Sequence, residues 1–177
     1  MSHPTRQLLI NAGLDLASNV SLNRISIDAV VNKAGVAKGT FYVHFHDRAA
    51  FLVALHVQFH EQVLSRILEA TEGLPHGAKR LRLGTETYLN ECLQQRAIKA
   101  ILLEARSEPS IASEVQRRNA TFAALERDDF AALGWSDPAT AARLFVALGA
   151  EVALIELETG QNEAARQTLW RFARLEE

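Results

Sequence analysis

The chain has 177 residues, 48% of them hydrophobic, one cysteine and a formal net charge of −2 at neutral pH. That is enough apolar material for a buried core, and it excludes a uniformly basic nucleic-acid binder, an internal disulfide and a multi-cysteine zinc site. The charge is unevenly shared: residues 1–48 hold five Lys/Arg (Arg6, Arg24, Lys33, Lys38, Arg48) against three acids (Asp15, Asp28, Asp47), a balance of +2, which leaves −4 for the remainder.

The opening stretch, MSHPTRQ, is polar and carries no signal-peptide hydrophobic run. The most apolar segment, Leu144 to Leu157, is interrupted by Glu151 and is too short to span a bilayer. A cytoplasmic protein without a membrane partner is expected. From Thr5 to about Asn19, Leu8, Leu9, Ala12, Leu16 and Ala17 recur at helical spacing, so a first helix is expected there. Ser26 is a good N-cap for a second helix, with Asp28 opposing the dipole in its first turn. That helix buries Ile27, Val30, Val31 and Ala34 and stops at Gly35, which is free to adopt the left-handed angles that end a helix.

A short third helix then follows in AGVAKGTFYVHFHDR, residues 34–48. Phe41 and Phe45 lie four apart and anchor it to a small core. Its opposite face offers Lys38, Thr40, Tyr42, Val43 and His44, with no acid until Asp47. Three helices in about forty-five residues, the last two joined by a glycine turn, make a helix-turn-helix whose last helix fits a DNA major groove. Gly39 in its first turn costs roughly 1 kcal/mol relative to alanine, a cost that close approach of the backbone to a phosphate or base explains.

AGVAKGTFYVHFHDR, with Ser26 to Val31 and Thr5 to Leu16 before it, resembles the DNA-recognition domain of the TetR (tetracycline-repressor-like) family of bacterial transcription regulators. The resemblance implies roles by position. Lys38 and Thr40 reach base edges or adjacent phosphates, and Gly39 lets the backbone come close. Tyr42 and His44 contact phosphate or sugar, and Ser26 and Arg48 grip the DNA backbone from neighbouring helix starts. Val43 replaces a common aromatic or histidine and reads by apolar contact, as with a thymine methyl. Arg6 and Arg24 are further phosphate candidates, equally readable as ordinary surface arginines. Ala37 replaces the usual Ser or Thr cap, Ala17 a large aromatic, and Ser21 a helix-ending glycine; these departures bear on the operator sequence.

Beyond residue 48 the periodicity predicts a fourth helix from about Asp47 to Glu72, carrying Leu52, Leu55, Phe59, Val63 and Ile67 inward. A fifth spans Ala78 to Gln95, a sixth Ala97 to Arg106, and a seventh Ser110 to Leu133. An eighth opens on Asp137-Pro138 and runs to Thr159, and a ninth covers Ala165 to Leu175. The eighth shows a bulky face (Phe145, Leu148, Val152, Ile155) and a small one (Ala142, Val146, Gly149, Ala153); the second face is expected to meet a partner subunit.

The expected fold is therefore all-α with about nine helices: a helix-turn-helix DNA-binding domain over 1–48 and a helical ligand-binding and dimerisation domain over 49–177. The expected function is a DNA-binding transcription regulator, a repressor acting as a homodimer on a roughly palindromic double-stranded operator and released by a small-molecule effector of unknown identity. Effector candidates are Tyr88, Cys92, Arg118, Phe122, Leu125 and Trp135; interface candidates are Ala142, Val146, Gly149, Ala153, Leu169 and Phe172. No catalytic residue, cofactor or metal is expected. His56 and His60 have metal-compatible spacing but sit on a long amphipathic helix, where such pairs are ordinarily structural, and Cys92 reads as a core residue. The competing class is a helical carrier or enzyme with a vestigial helix-turn-helix, although no phosphate loop, carboxylate pair or nucleophile–base motif supports it.

Overall fold

The computed structural model describes residues 3–19, 25–95 and 109–175. Among them are eight helices and no strand: α1 (Pro4–Asn19), α2 (Ile27–Ala34), α3 (Lys38–His44), α4 (Arg48–Ala70), α5 (Ala78–Gln94), α6 (Pro109–Ala132), α7 (Pro138–Thr159) and α8 (Glu163–Ala173). The fold is all-α. Ser21, Arg24 and the expected helix over 97–106 lie outside the described residues. The chain forms two compact units, residues 1–61 with 95–115 and residues 62–94 with 116–177. No described helix is long and apolar enough to cross a membrane.

In the first unit α1 packs on α2 and α3, and α2 on α3. Ser26 accepts a 3.1 Å hydrogen bond from the Ala29 N–H and so satisfies a free donor at the start of α2. Gly35 ends α2 at φ 68°, where its own N–H bonds Asn32 and that of Val36 bonds Val31. Leu9, Ile10, Val30, Val31, Phe51 and Phe59 are buried in the core of this unit. Gly13 matters for a steric reason: a Cβ there would stand 2.6 Å from Phe51 Cζ and 2.9 Å from Leu55 Cδ2. Its missing side chain lets α1 lie close over α4.

In the second unit α7 packs on α5 and α8. Asp137 caps α7 by accepting from the Thr140 N–H, and Pro138 follows at the first helical position. Asn162 caps α8, which starts at Glu163, two residues before the expected Ala165. The core combines Leu81, Leu89, Phe130, Phe145 and Trp170 with two buried polar groups. Glu156 accepts two bonds from Arg166, at 2.6 and 3.0 Å, and Arg166 also reaches Asn90 at 3.0 Å. Asp129 accepts from the Gly77 N–H and pairs with Arg80. Glu156 and Asp129 therefore enter the interior with their hydrogen bonds made, which is the condition for tolerating them there.

Candidate nucleic-acid interface

The geometry of α3 separates its two sides. Phe41 is fully buried and Phe45 is 3% exposed, whereas Tyr42 is 51% and Val43 79% exposed. The buried rings form one cluster: Phe41 meets Phe45 and Phe51 at 5.3 Å each, and Phe45 meets Phe51 at 5.1 Å. Such edge and tilted contacts fix ring orientation as well as burying area. The helix is thereby held from behind while Lys38, Gly39, Tyr42 and Val43 face outward. Thr40 and His44 are half-buried at the margins, and the His44 ring lies 4.8 Å from that of His3.

Gly39 tests the idea that close backbone approach asks for glycine. A Cβ there would meet nothing within 4 Å inside the chain. Internal packing therefore does not call for glycine in this turn. Ala37 occupies the cap position of α3 with extended angles and no side-chain bond, as its chemistry requires.

Ser26 and Arg48 are both exposed at helix starts. The Ser26 oxygen already accepts the capping bond, which leaves its O–H free to donate to an anion. Arg48 donates from Nε to the Ile25 carbonyl at 3.3 Å, which holds the guanidinium beside the start of α2. Asp47 caps α4 by accepting from the Ala50 N–H at 2.8 Å, and that bond holds its carboxyl below the usual range. Arg6 lies over the Phe45 ring at 5.1 Å, a cation–π contact that ties it to the aromatic cluster.

One partner escapes a reading of the sequence. Lys38 Nζ sits 2.8 Å from Asp28 on α2, and the hydrogen bond to that carboxylate raises the ammonium above its ordinary pKa. Asp28 is ten residues away across the turn, so no helical period links the two. Lys38 is thus positioned, and at the same time neutralised, by the helix before it.

Of the six effector candidates, Tyr88, Arg118 and Phe122 line one small cavity and Leu125 an adjoining one, in the second unit. Cys92 is buried in the core, and Trp135 packs edge-on to Phe130 at 5.5 Å with Arg174 over its other side at 4.8 Å. Ile67, Glu126 and Phe145 also line the cavity and are not among the effector candidates, because Ile67 and Phe145 read from sequence as core positions and Glu126 as an ordinary polar one.

Of the interface candidates, Ala142, Gly149, Ala153 and Leu169 are buried within the chain and Val146 lines the cavity. α7 packs on α5, and a Cβ on Gly149 would stand in ordinary contact with Thr85 of α5 at 4.0 Å. Phe172 alone of the six stays 61% exposed, and Leu144, also 61% exposed, presents a second apolar side chain on α7. His56 and His60 are buried with their rings 4.5 Å apart, and no group of three or more metal-ligating side chains occurs among the described residues.

The first-unit arrangement matches known proteins. The profile of the bacterial regulatory proteins of the tetR family fits residues 9–55, from the middle of α1 to the first turns of α4. Over residues 9–55 the chain is similar to that family. The HTH-type transcriptional regulator UidR of Escherichia coli (strain K12) is 28% identical over 122 residues, covering 68% of this chain and 62% of the relative. The alignment therefore spans less than two thirds of that protein. Among solved structures, a transcriptional regulator from Rhodococcus sp. Rha1 superposes with a TM-score of 0.80 at 20% identity, over 96% of this chain and 94% of its own. Salmonella enterica GusR superposes at 0.72 with 22% identity, covering 98% and 96%. These TetR-like likenesses carry the fold across almost the whole length.

Proposed function

We propose that this TetR-like chain is a DNA-binding transcription regulator that represses from a palindromic operator as a homodimer, with a small-molecule effector bound in the second unit. The observation that carries the reading is the division of α3. Its aromatics Phe41 and Phe45 are buried, while Gly39, Tyr42 and Val43 are exposed and Lys38, also exposed, is held by Asp28 of α2. An exposed valine and tyrosine beside a glycine with no internal reason to be glycine suit a helix that enters a groove. Phosphate contacts from Ser26, Lys38, Thr40, Tyr42, His44 and Arg48 would fix the register, and Val43 would meet a base edge.

A two-fold dimer sets two such helices about 34 Å apart, one turn of the duplex, which is why the operator is expected to be an inverted repeat. Leu144 and Phe172 supply the apolar surface for that dimer. The domain division proposed for this function is residues 1–48 for DNA and 49–177 for effector and partner. An effector acts only if it binds the DNA-competent and DNA-incompetent spacings unequally. The competing carrier or enzyme reading finds no support in the relatives, which are named as regulators.

The test is a gel shift of the full chain with the DNA flanking its own coding region, at two salt concentrations and with excess unrelated competitor. A competitor-resistant complex that weakens steeply with salt supports the reading. Absence of any complex at either concentration overturns it.

A further inference from the structure

Within the second unit α7 is buried along one side and open along the other. Ala141, Ala142, Phe145, Gly149, Val152 and Ala153 lie inward. Along the outer side run Thr140, Leu144, Ala147, Glu151, Leu154 and Glu158, all exposed except the half-buried Leu154. These positions advance by four, three, four, three and four residues, the repeat of a seam that packs along another helix. Leu144 stands 61% exposed in that seam, apolar area that a covering helix would remove from water. Phe172 of α8, equally exposed, adds to it. An open groove of about 740 Å³ between α6 and α7, lined largely by alanines and bordered by Arg143, leaves room along the same edge. Two opposite charges flank the middle of the seam. Arg143 comes four residues before Ala147 and Glu151 four after it. Both are exposed, and neither makes a hydrogen bond or ion pair among the described residues.

From this arrangement we infer that the outer face of α7 pairs with the same face of a second copy, antiparallel about a two-fold axis at Ala147, with Arg143 of each chain on Glu151 of the partner subunit. The inference rests on the homodimer reading and adds to it the helix, the direction and the register. In an antiparallel two-fold pair, a residue some places before the axis meets the residue the same number of places after it. An axis at Ala147 therefore forms the Arg143–Glu151 pair twice and sets Leu144 against Ala150 of the partner subunit. A parallel pair would instead lay Arg143 on its own copy and Glu151 on its own copy, and like charges face to face cost rather than hold. Sliding the antiparallel pair by half a heptad, so that Arg143 meets Glu158 of the partner subunit, would bring two Glu151 carboxylates side by side at the axis. One cation and one anion spaced evenly about a small residue make the face complementary to itself. That self-complementarity selects a second copy over a partner of other sequence.

Charge exchange in the full chain, read by sedimentation velocity and native mass spectrometry, tests the register. Arg143→Glu and Glu151→Arg each turn two attractive pairs into two repulsive ones, so each should raise the dimer dissociation constant at least about tenfold. The double variant Arg143→Glu/Glu151→Arg restores opposite charges and should dimerise nearly as tightly as the parent. An equimolar mixture of the two single variants should form a dimer containing one of each, because both pairs then again join an acid to a base. Glu158→Arg, on the same face but outside the pair, should stay within about twofold of the parent. Single variants as tight as the parent, a mixture that dissociates like either variant alone, or Glu158→Arg as disruptive as Glu151→Arg would each overturn the inference. The parent separates this claim from the one beneath it. A dimeric parent that ignores every charge change loses the register and keeps the homodimer, whereas a parent that is monomeric at every concentration loses both.

Discussion

Replacing Phe41 measures how firmly α3 is held. The ring has no exposure and touches Phe45 and Phe51 at 5.3 Å and Tyr42 at 5.5 Å. Truncation of a buried phenylalanine to alanine costs about 3–5 kcal/mol, from lost transfer energy and the cavity left behind. Against a domain stability of about 5–15 kcal/mol, that is a third or more of the whole. Phe41→Leu retains most of the volume and loses mainly the aromatic edge contacts, so it should cost about 1–1.5 kcal/mol. Tyr42→Ala, one residue on but half exposed, should cost under about 0.5 kcal/mol. Native-state hydrogen exchange of the α2 and α3 amides reads all three, because the opening free energy of those amides falls with the stability of the unit that holds them. The expected order of loss is Phe41→Ala, then Phe41→Leu, then Tyr42→Ala. A Phe41→Ala chain within about 0.5 kcal/mol of the parent, or a Tyr42→Ala chain as damaged as Phe41→Ala, would refute the division of α3 into an anchoring and a presenting side.

Three further outcomes follow from the packing. Gly13→Ala should lower the melting temperature although alanine is the better helix former by about 1 kcal/mol, because its Cβ meets a Phe51 ring locked between Phe41 and Phe45; a raised melting temperature would show that the ring yields. Glu156→Ala strands the buried Arg166 guanidinium and should cost about 3–5 kcal/mol in urea unfolding, whereas replacing both partners with leucine and methionine should cost much less; additive effects would mean the pair is uncoupled. Glu126→Gln should stabilise the chain more at pH 8 than at pH 5. A carboxyl held up to about 8 when folded, against 4.5 ordinarily, keeps its full contribution below pH 4.5 and loses it as pH rises toward 8, while glutamine does not titrate. An advantage of equal size at both pH values would contradict the burial argument.

Much of this was legible in the chain itself where local chemistry decides. Ser26, Gly35 and Asp137-Pro138 mark helix ends through the hydrogen bonds and angles that their own side chains allow, and the structure ends helices there. The Phe41 and Phe45 pairing followed from four-residue spacing, and both rings point inward. What was not legible depends on partners distant in sequence. The small face of α7 carries the same pattern whether it meets α5 of its own subunit or another copy, so the packing of α7 on α5 is not readable from it. The cap at Asn162 is hard to read from the sequence, because a start two residues earlier adds only Glu163 and Ala164 to the pattern. The Lys38–Asp28 pair crosses a turn, and the unpaired Glu126 reads from sequence as one more polar residue of α6.

The central claim is that Lys38 meets a DNA phosphate, exchanging Asp28 for it. The most direct measurement is the salt dependence of DNA affinity for the parent chain and for Lys38→Ala, on the same fragment across a range of salt concentrations. Each phosphate contact neutralised contributes a slope of about −0.9 in log affinity against log salt, so Lys38→Ala should bind more weakly and flatten that slope by roughly one unit. An unchanged slope and affinity, with helix content intact, would mean that Lys38 never leaves Asp28 and that α3 does not face the duplex as described.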